Sequence, residues 1–213
     1  MSSYIERKLT GAPLPCFQED TTARGFRCLV LLDRSTSMQG DKTKQAEKAC
    51  RLLSRALKYP FVTFEVWGFQ AREGEITITR FAPGLESFTS DKSIVVGQTP
   101  LHIAIRIAAR HLGETDDLKQ LVAITDGVPI FTNTKDYITI DPRLIDATRR
   151  EVMAARSKGI IVTGLVIEKQ APPSQLFKMF GANRNWRYLE KQNLGSGIIK
   201  TVTGSFVNYL KRA

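Results

Sequence analysis

Cysteine and histidine are scarce in this 213-residue chain, which has three cysteines and two histidines. The cysteines, Cys16, Cys28 and Cys50, are odd in number, irregularly spaced and without a Cys-x-x-Cys pair. This pattern excludes a disulfide scaffold and a zinc ribbon. Two histidines are also too few for a histidine-rich metal site.

Long apolar runs are missing as well. No stretch approaches the roughly 20 residues that a membrane-spanning helix requires. The first residues mix Glu6, Arg7, Lys8 and Pro13 with short apolar pieces, unlike a signal peptide. With 42% hydrophobic residues the chain has enough apolar material for one core. We therefore expect a cytoplasmic protein with an N-terminal arm at 1–25 and one domain at 26–213.

Acidic residues are outnumbered by basic ones, which gives a formal net charge of +10. Five of the basic residues recur at helical spacing on one predicted stripe: Lys44, Lys48, Arg51, Arg55 and Lys58. We favour the interpretation that this stripe is a solvated helix face. The alternative is that it is a docking surface for an acidic partner or for phosphates. Nucleic-acid binding is less favoured because basic and aromatic residues are not interleaved.

Two apolar runs end next to carboxylates. Arg27–Asp33 and Gln120–Thr125 are typical of buried strands, and Asp126 follows the second run directly. Other segments predict an edge hairpin, further strands and intervening helices: strands at Phe61–Phe69, Glu75–Phe81, Ile160–Ile167 and Arg187–Glu190, and helices at Asp41–Lys58, Pro100–Leu112, Arg143–Lys158, Ser174–Phe180 and Gly197–Leu210.

This alternation predicts an α/β fold. We expect a doubly wound, mostly parallel central sheet with one antiparallel edge strand and helices on both faces. Such sheets bind ligands at the carboxyl ends of their strands, near the point where the strand order reverses. Asp33 and Asp126 are predicted to lie at such ends.

Five oxygen-bearing side chains form the candidate site. Asp33, Ser35 and Ser37 alternate as a strand runs into a loop, so their side chains can converge on one point. Thr99 is predicted to be the N-cap of a helix, and Asp126 ends a neighbouring strand, so both can reach that point. A set of hard oxygen ligands favours Mg²⁺, with Mn²⁺ or Ca²⁺ as possible substitutes.

The charge of this set indicates binding rather than hydrolysis. Two carboxylates balance a divalent ion, and an ion held partly by hydroxyls would seek an anionic ligand from outside. The natural candidate is a Glu or Asp carboxylate of a partner protein. Each part also has an ordinary explanation: Asp33 caps a turn, Thr99 caps a helix, and Asp126 begins a turn.

The same residues resemble the metal-ion-dependent adhesion site (MIDAS) of von Willebrand factor A (VWA) domains. The resemblance covers about residues 26–212 and makes 26–213 the VWA domain. It implies Ser35, Ser37 and Thr99 as hydroxyl ligands, with Asp33 and Asp126 acting mainly through water. Further motifs are similar to the intracellular bacterial branch with NorD, CobT and CbbO: Val66–Phe69, Gln98–Leu101, Thr125–Pro129, Arg149–Gly159 and Leu176–Ala182.

Membership of that branch implies partners. Its proteins work with a hexameric AAA+ ATPase of the MoxR, NorQ or CobS type, and the domain is an adaptor that links the ATPase to a target. The target is then activated, remodelled or loaded with metal. Two residues depart from the family pattern: Thr36 replaces the usual Gly, and Arg34 is a large basic residue inside the loop. We expect Arg34 either to steer an acidic partner or to point to solvent.

Other functions stay open at this point. The alternative to a metal-dependent adaptor is a protein that binds nucleic acid through its basic surface, or a generic scaffold protein with a vestigial metal site. A metal-dependent hydrolase is a third hypothesis, but the motifs hold no His, Lys or Glu as a general base. The chain also lacks the Gly-x-x-x-x-Gly-Lys-Ser/Thr phosphate loop of ATPases. We therefore expect a non-catalytic protein, at most a non-catalytic subunit of an ATPase or chelatase complex.

Overall fold

Six strands and five α-helices make up the part of the chain that a computed structural model describes: residues 25–72, 75–81, 99–113, 115–127, 142–167 and 171–210. The strands are β1 (Phe26–Asp33), β2 (Val62–Arg72), β3 (Glu75–Phe81), β4 (Leu118–Thr125), β5 (Ile160–Ile167) and β6 (Trp186–Leu189). The helices are α1 (Asp41–Ala56), α2 (Leu101–Leu112), α3 (Pro142–Ser157), α4 (Pro173–Phe180) and α5 (Leu194–Leu210).

The strands form one sheet in the order β3-β2-β1-β4-β5-β6. Strands β2 and β3 are antiparallel, and all other neighbours are parallel. This confirms the predicted mostly parallel sheet and its edge hairpin. The direction in which the chain adds strands reverses between β1 and β4. Their carboxyl ends therefore form the switch point at which open α/β sheets bind ligands.

Each face of the sheet buries its own apolar core. Cys28, Val30 and Leu32 of β1 face the core shared with α1 and α5. Leu29 and Leu31 face the core shared with α2, α3 and α4. Successive side chains of a strand point to opposite faces, so a strand covered on both sides is apolar throughout. This explains the unbroken apolar run that predicted β1.

The predicted start of the last helix is wrong. Helix α5 begins at Leu194, whereas the sequence predicts a start at Gly197. Glycine weakens a helix in isolation, but here tertiary packing decides. A Cβ on Gly197 would lie only 2.4 Å from Cδ2 of Leu189, so the missing side chain lets α5 approach β6.

Some predictions lie outside the described residues. These are the N-terminal arm, of which only residue 25 is described, and the motif residues Gln98, Val128 and Pro129. Among the described segments, no helix combines the length and the hydropathy needed to cross a bilayer.

The carboxylate of Glu65 connects β1, β2 and α2. Its Oε1 lies 2.8 Å from His111 Nε2 and accepts from Arg27 Nη2 at 3.4 Å, while Oε2 accepts from Trp67 Nε1 at 3.2 Å. Burial by itself raises the pKa of Glu65, but hydrogen bonds from His111 and Trp67 and the nearby positive charges outweigh it. The pKa of Glu65 is therefore lowered.

The stabilising effect of Glu65 should depend on pH. Because its pKa in the fold lies below the ordinary 4.5, its contribution is complete above pH 4.5 and is lost as the pH falls through the lowered value. We expect Glu65→Gln to reduce the free energy of unfolding at neutral pH, and this difference from wild type to shrink below pH 4.5. Urea unfolding at a series of pH values measures it.

The control for this series is Glu75→Gln, which removes an exposed carboxylate from β3. A difference between wild type and Glu65→Gln that is equally large at neutral pH and at about pH 3 would contradict the interpretation.

Arg34 anchors the loop that follows β1. Its side chain is only 2% exposed, and its backbone N–H donates to the carbonyl of Phe69 at 2.9 Å. Its guanidinium carbon lies 5.5 Å from the centroid of the Phe81 ring. Burial raises the pKa of Glu47 on α1, and the positive charge of Arg34 partly offsets this rise. Both sequence expectations for Arg34 are therefore wrong, because a side chain next to Asp33 points to the opposite side and is covered there.

Gly68 makes room for that anchor. A Cβ at this position of β2 would lie 2.6 Å from Cδ of Arg34 and 3.1 Å from Cε2 of Phe81. We expect Gly68→Ala to destabilise the domain by about 1–3 kcal/mol, because the buried Arg34 must move. Thermal or urea unfolding measures the change.

Gly204→Ala is the matched control. Gly204 lies in the exposed part of α5, and a Cβ there meets nothing within 4 Å. We expect this substitution to stabilise the domain by roughly 0.5–1 kcal/mol, because alanine favours a helix over glycine. Equal effects of the two substitutions would refute the packing argument for Gly68.

Candidate metal centre

The loop after β1 turns three predicted side chains toward one another. The buried Asp33 ends β1, and its Oδ1 accepts from the backbone N–H of Ser35 at 2.8 Å. The hydroxyls of Ser35 and Ser37 lie 3.1 Å apart. Thr36 opens a short 3₁₀ turn (Thr36–Met38), whose negative φ suits any residue, so the replacement of the usual Gly is accommodated.

The end of β4 brings the fourth predicted residue to the same place. Leu32 of β1 pairs with Ile124 of β4, so the chain positions that follow them lie side by side. The hydroxyl of Ser37 donates to Oδ1 of Asp126 at 2.7 Å, and Asp126 is only 1% exposed. Asp33, Ser35, Ser37 and Asp126 thus form one connected group, as the sequence predicts.

Thr125 belongs to this group although the sequence analysis did not select it. Its hydroxyl donates to Oδ2 of Asp33 at 2.6 Å and ties β4 to β1. The signal was available, because Thr125 directly precedes Asp126 at the end of a strand parallel to β1. Thr125 and Asp33 directly follow the paired residues Ile124 and Leu32, so they lie side by side and their side chains share one face of the sheet.

Lys42 is the second residue that sequence reasoning missed. It lies in the first turn of α1, and its ammonium donates to Oδ2 of Asp126 at 2.8 Å and to the backbone carbonyl of Ser37 at 3.3 Å. In the sequence it was only one more basic residue next to the stripe that begins at Lys44. Nothing in its spacing distinguishes it, because the contact depends on where α1 starts.

Thr99 is buried, 5% exposed, but its hydroxyl is outside the hydrogen-bond network of the other four residues. Its predicted role as N-cap is wrong: α2 begins at Leu101 with Pro100 as N-cap. Pro100 has φ −81° and ψ 52°, and Leu101 N–H donates to the Thr99 carbonyl at 2.9 Å. This is an inverse γ-turn, which shifts the start of the helix by one residue.

Burial is the largest influence on the ionisation of Asp33. It raises the pKa of Asp33 to about 6, although hydrogen bonds from Thr125 and Ser35 favour the ionised form; the negative charge of Asp126 raises it further. A buried carboxylate is stabilised by a cation beside it. Lys42 supplies one positive charge beside two acidic groups, so these three described side chains carry one net negative charge when both carboxylates are ionised.

The donor set fits a hard divalent ion. Carboxylate and hydroxyl oxygens are ligands that Mg²⁺ accepts, and the cluster offers no sulfur or imidazole ligand. Across the described segments, no three or more His, Cys, Asp or Glu side chains group together to hold a metal. A site with only two carboxylates therefore depends on its hydroxyls and on ligands from outside.

Comparison with known proteins bears on the fold. No protein-family model and no curated protein matches the chain. Among solved structures, the pilus adhesin SpaC from Lactobacillus rhamnosus GG is similar with a TM-score of 0.68 at 12% identity. The alignment covers 88% of this chain and 31% of the adhesin.

Two further structures are similar. The vWF domain of the type V pili tip protein Mfa5 from Porphyromonas gingivalis has a TM-score of 0.64 at 10% identity, over 86% of this chain and 97% of that one. Proximal thread matrix protein 1 from the mussel byssus, with a zinc-occupied MIDAS motif, has a TM-score of 0.59 at 15% identity. That alignment covers 84% of this chain and 47% of the byssus protein, so the chain spans less than half of it and of SpaC. The described part of the chain has the fold of a von Willebrand factor A domain.

Proposed function

We propose that this domain is a Mg²⁺-dependent protein-binding module without catalytic activity. Asp33, Ser35, Ser37, Thr99 and Asp126 would hold the ion, and Mn²⁺ or Ca²⁺ could replace Mg²⁺. The observation that carries the proposal is the chain of hydrogen bonds from Ser35 to Ser37 to Asp126, beside the buried Asp33. Four of the five proposed ligands already lie within contact of one another.

The composition of the site favours binding over hydrolysis. The only nitrogen cation in the described cluster, Lys42, is engaged with a carboxylate, and both carboxylates accept hydrogen bonds. When bound, the ion would supply a Lewis acid for an anionic ligand. A Glu or Asp carboxylate of a partner protein is the ligand that fits. The zinc-occupied MIDAS motif of the byssus protein supports metal binding by a related fold.

We further propose that the partners are a hexameric AAA+ ATPase of the MoxR type and its target, in the cytoplasm. The support is the resemblance of the sequence to NorD, CobT and CbbO. Two of the motifs lie on neighbouring helices: Arg149–Gly159 runs along the second half of α3, and Leu176–Ala182 covers most of α4. The two helices pack against each other, so the two motifs are neighbours on the same face of the sheet.

Nucleic-acid binding is the second candidate, and the surface of α1 is what favours it. Lys44, Lys48 and Arg55 of α1 are exposed, whereas Arg51 is half-buried and lies 3.6 Å from Glu47. Lys58 is exposed too, but it lies beyond the end of α1, so the helical stripe is shorter than the sequence predicts. Binding through this face would weaken steeply with salt and would ignore chelation of the metal.

Replacing both serines separates these functions. We expect Ser35→Ala with Ser37→Ala to weaken Mg²⁺ binding by more than about tenfold, because two oxygen ligands and the link to Asp126 are lost. Isothermal titration calorimetry measures the affinity. Capture of proteins from native lysate, in Mg²⁺ and in EDTA, measures partner binding, which we expect to require both Mg²⁺ and the serines.

The matched control is Ser157→Ala with Ser196→Ala, which removes two exposed hydroxyls at the ends of α3 and α5. This variant should bind Mg²⁺ and partners as wild type does. Partner capture that survives EDTA and the loss of Ser35 and Ser37, but is abolished by high salt, would overturn the metal-dependent mechanism and favour the basic face.

A further inference from the structure

The candidate metal centre contains a cation of its own. The ammonium of Lys42 lies 2.8 Å from Oδ2 of Asp126, while the other oxygen of that carboxylate accepts from Ser37 at 2.7 Å. The side chain of Lys42 is only 12% exposed, and that of Asp126 is 1% exposed. This ion pair is thus largely removed from water, where an electrostatic interaction is stronger than at the surface.

The backbone around Lys42 holds the ammonium in place. Gly40 has φ +83°, a conformation that favours glycine, and it turns the chain from the loop into α1. The next residue along the helix, Thr43, is buried and its hydroxyl donates to the carbonyl of Met38 at 2.6 Å. The start of α1 is therefore fixed against the loop that carries Ser37, and Lys42 is positioned before any ion arrives.

The net charge of Asp33, Asp126 and Lys42 together changes sign when a divalent ion binds. Ionised Asp33 and Asp126 with the ammonium of Lys42 carry one net negative charge, and a divalent ion would change this to one net positive charge. Two cations that share one carboxylate repel each other, and the repulsion is strong in a buried site. The ion must overcome this repulsion or displace the ammonium from Asp126.

We propose that Lys42 is a built-in competitor of the divalent ion for Asp126 and keeps the metal affinity of the isolated domain low. This inference rests on the proposed metal site and names the regulation of that site. An excess positive charge remains when the ion is bound next to Lys42. The carboxylate of a partner neutralises that charge, so stable metal occupancy and partner binding become coupled.

Mn²⁺ binding to the full chain tests the role of Lys42. Titration with MnCl₂, followed by electron paramagnetic resonance of the free ion, gives the dissociation constant without a partner. We expect Lys42→Met to bind Mn²⁺ about tenfold more tightly than wild type, which corresponds to about 1.4 kcal/mol. Lys42→Arg retains the charge and should bind as weakly as wild type.

Lys44→Met is the control, because it removes the same charge from an exposed position two residues along the same helix. It should leave the Mn²⁺ affinity unchanged.

Thermal unfolding gives a second readout. In EDTA, Lys42→Met should unfold at a lower temperature than wild type, because the buried Asp126 loses its counterion. Saturating Mn²⁺ should raise the unfolding temperature of Lys42→Met by more than that of wild type. If Lys42→Met does not fold, Lys42→Gln takes its place.

The outcomes distinguish this inference from the proposed function. If wild type binds Mn²⁺ and the Lys42 variants bind it equally or more weakly, Lys42 is not a competitor, and the metal site stands. If neither wild type nor the neutral variants bind Mn²⁺, the metal site and the inference both fail. Tighter binding by Lys44→Met as well would assign the effect to overall charge and overturn the inference.

Discussion

Two carboxylates, buried where the central strands end, are the constraint on which the rest of this site depends. Asp33 and Asp126 are buried away from water, so each needs hydrogen-bond donors from the protein. Thr125 at the end of β4 donates to Asp33, and Ser37 in the loop after β1 donates to Asp126, so each carboxylate receives a hydrogen bond from the other side of the site. These two contacts tie the end of β4 to the end of β1 and to the loop that follows β1.

The fold follows from local patterns that tertiary structure leaves intact. An apolar run such as Arg27–Asp33 fits only a strand covered on both faces, and alternation of such runs with helices leads to a parallel sheet. The predicted approach of Ser35 to Asp33 depends on the two-residue period of extended backbone, which the chain keeps through Ser35. Ser37 instead reaches Ser35 from the 3₁₀ turn that follows. The contact with Asp126 depends on the register of parallel strands. These features are short in range or regular, so the sequence predicts them.

The remaining features depend on packing between distant segments. The direction of the Lys42 side chain is set by where α1 begins, and the burial of Arg34 is set by Gly68, Phe81 and Glu47 on three other elements. Neither has a signature in the local sequence. At Thr99, a γ-turn at Pro100 replaces the helix start that the sequence favours. The predicted metal, partners and N-terminal arm stay predictions, since they involve groups or residues that the described structure does not contain.

The burial of Arg34 also has a consequence for protein engineering. Loops that connect a strand to a helix, as the segment between Asp33 and Met38 does, usually run over the protein surface and tolerate sequence changes. Here Arg34, the first residue of the loop, is a core residue that occupies a space left open by Gly68 and bounded by Phe81. A graft of this loop into another domain would therefore have to carry the receiving cavity with it, as a unit of loop, edge hairpin and helix.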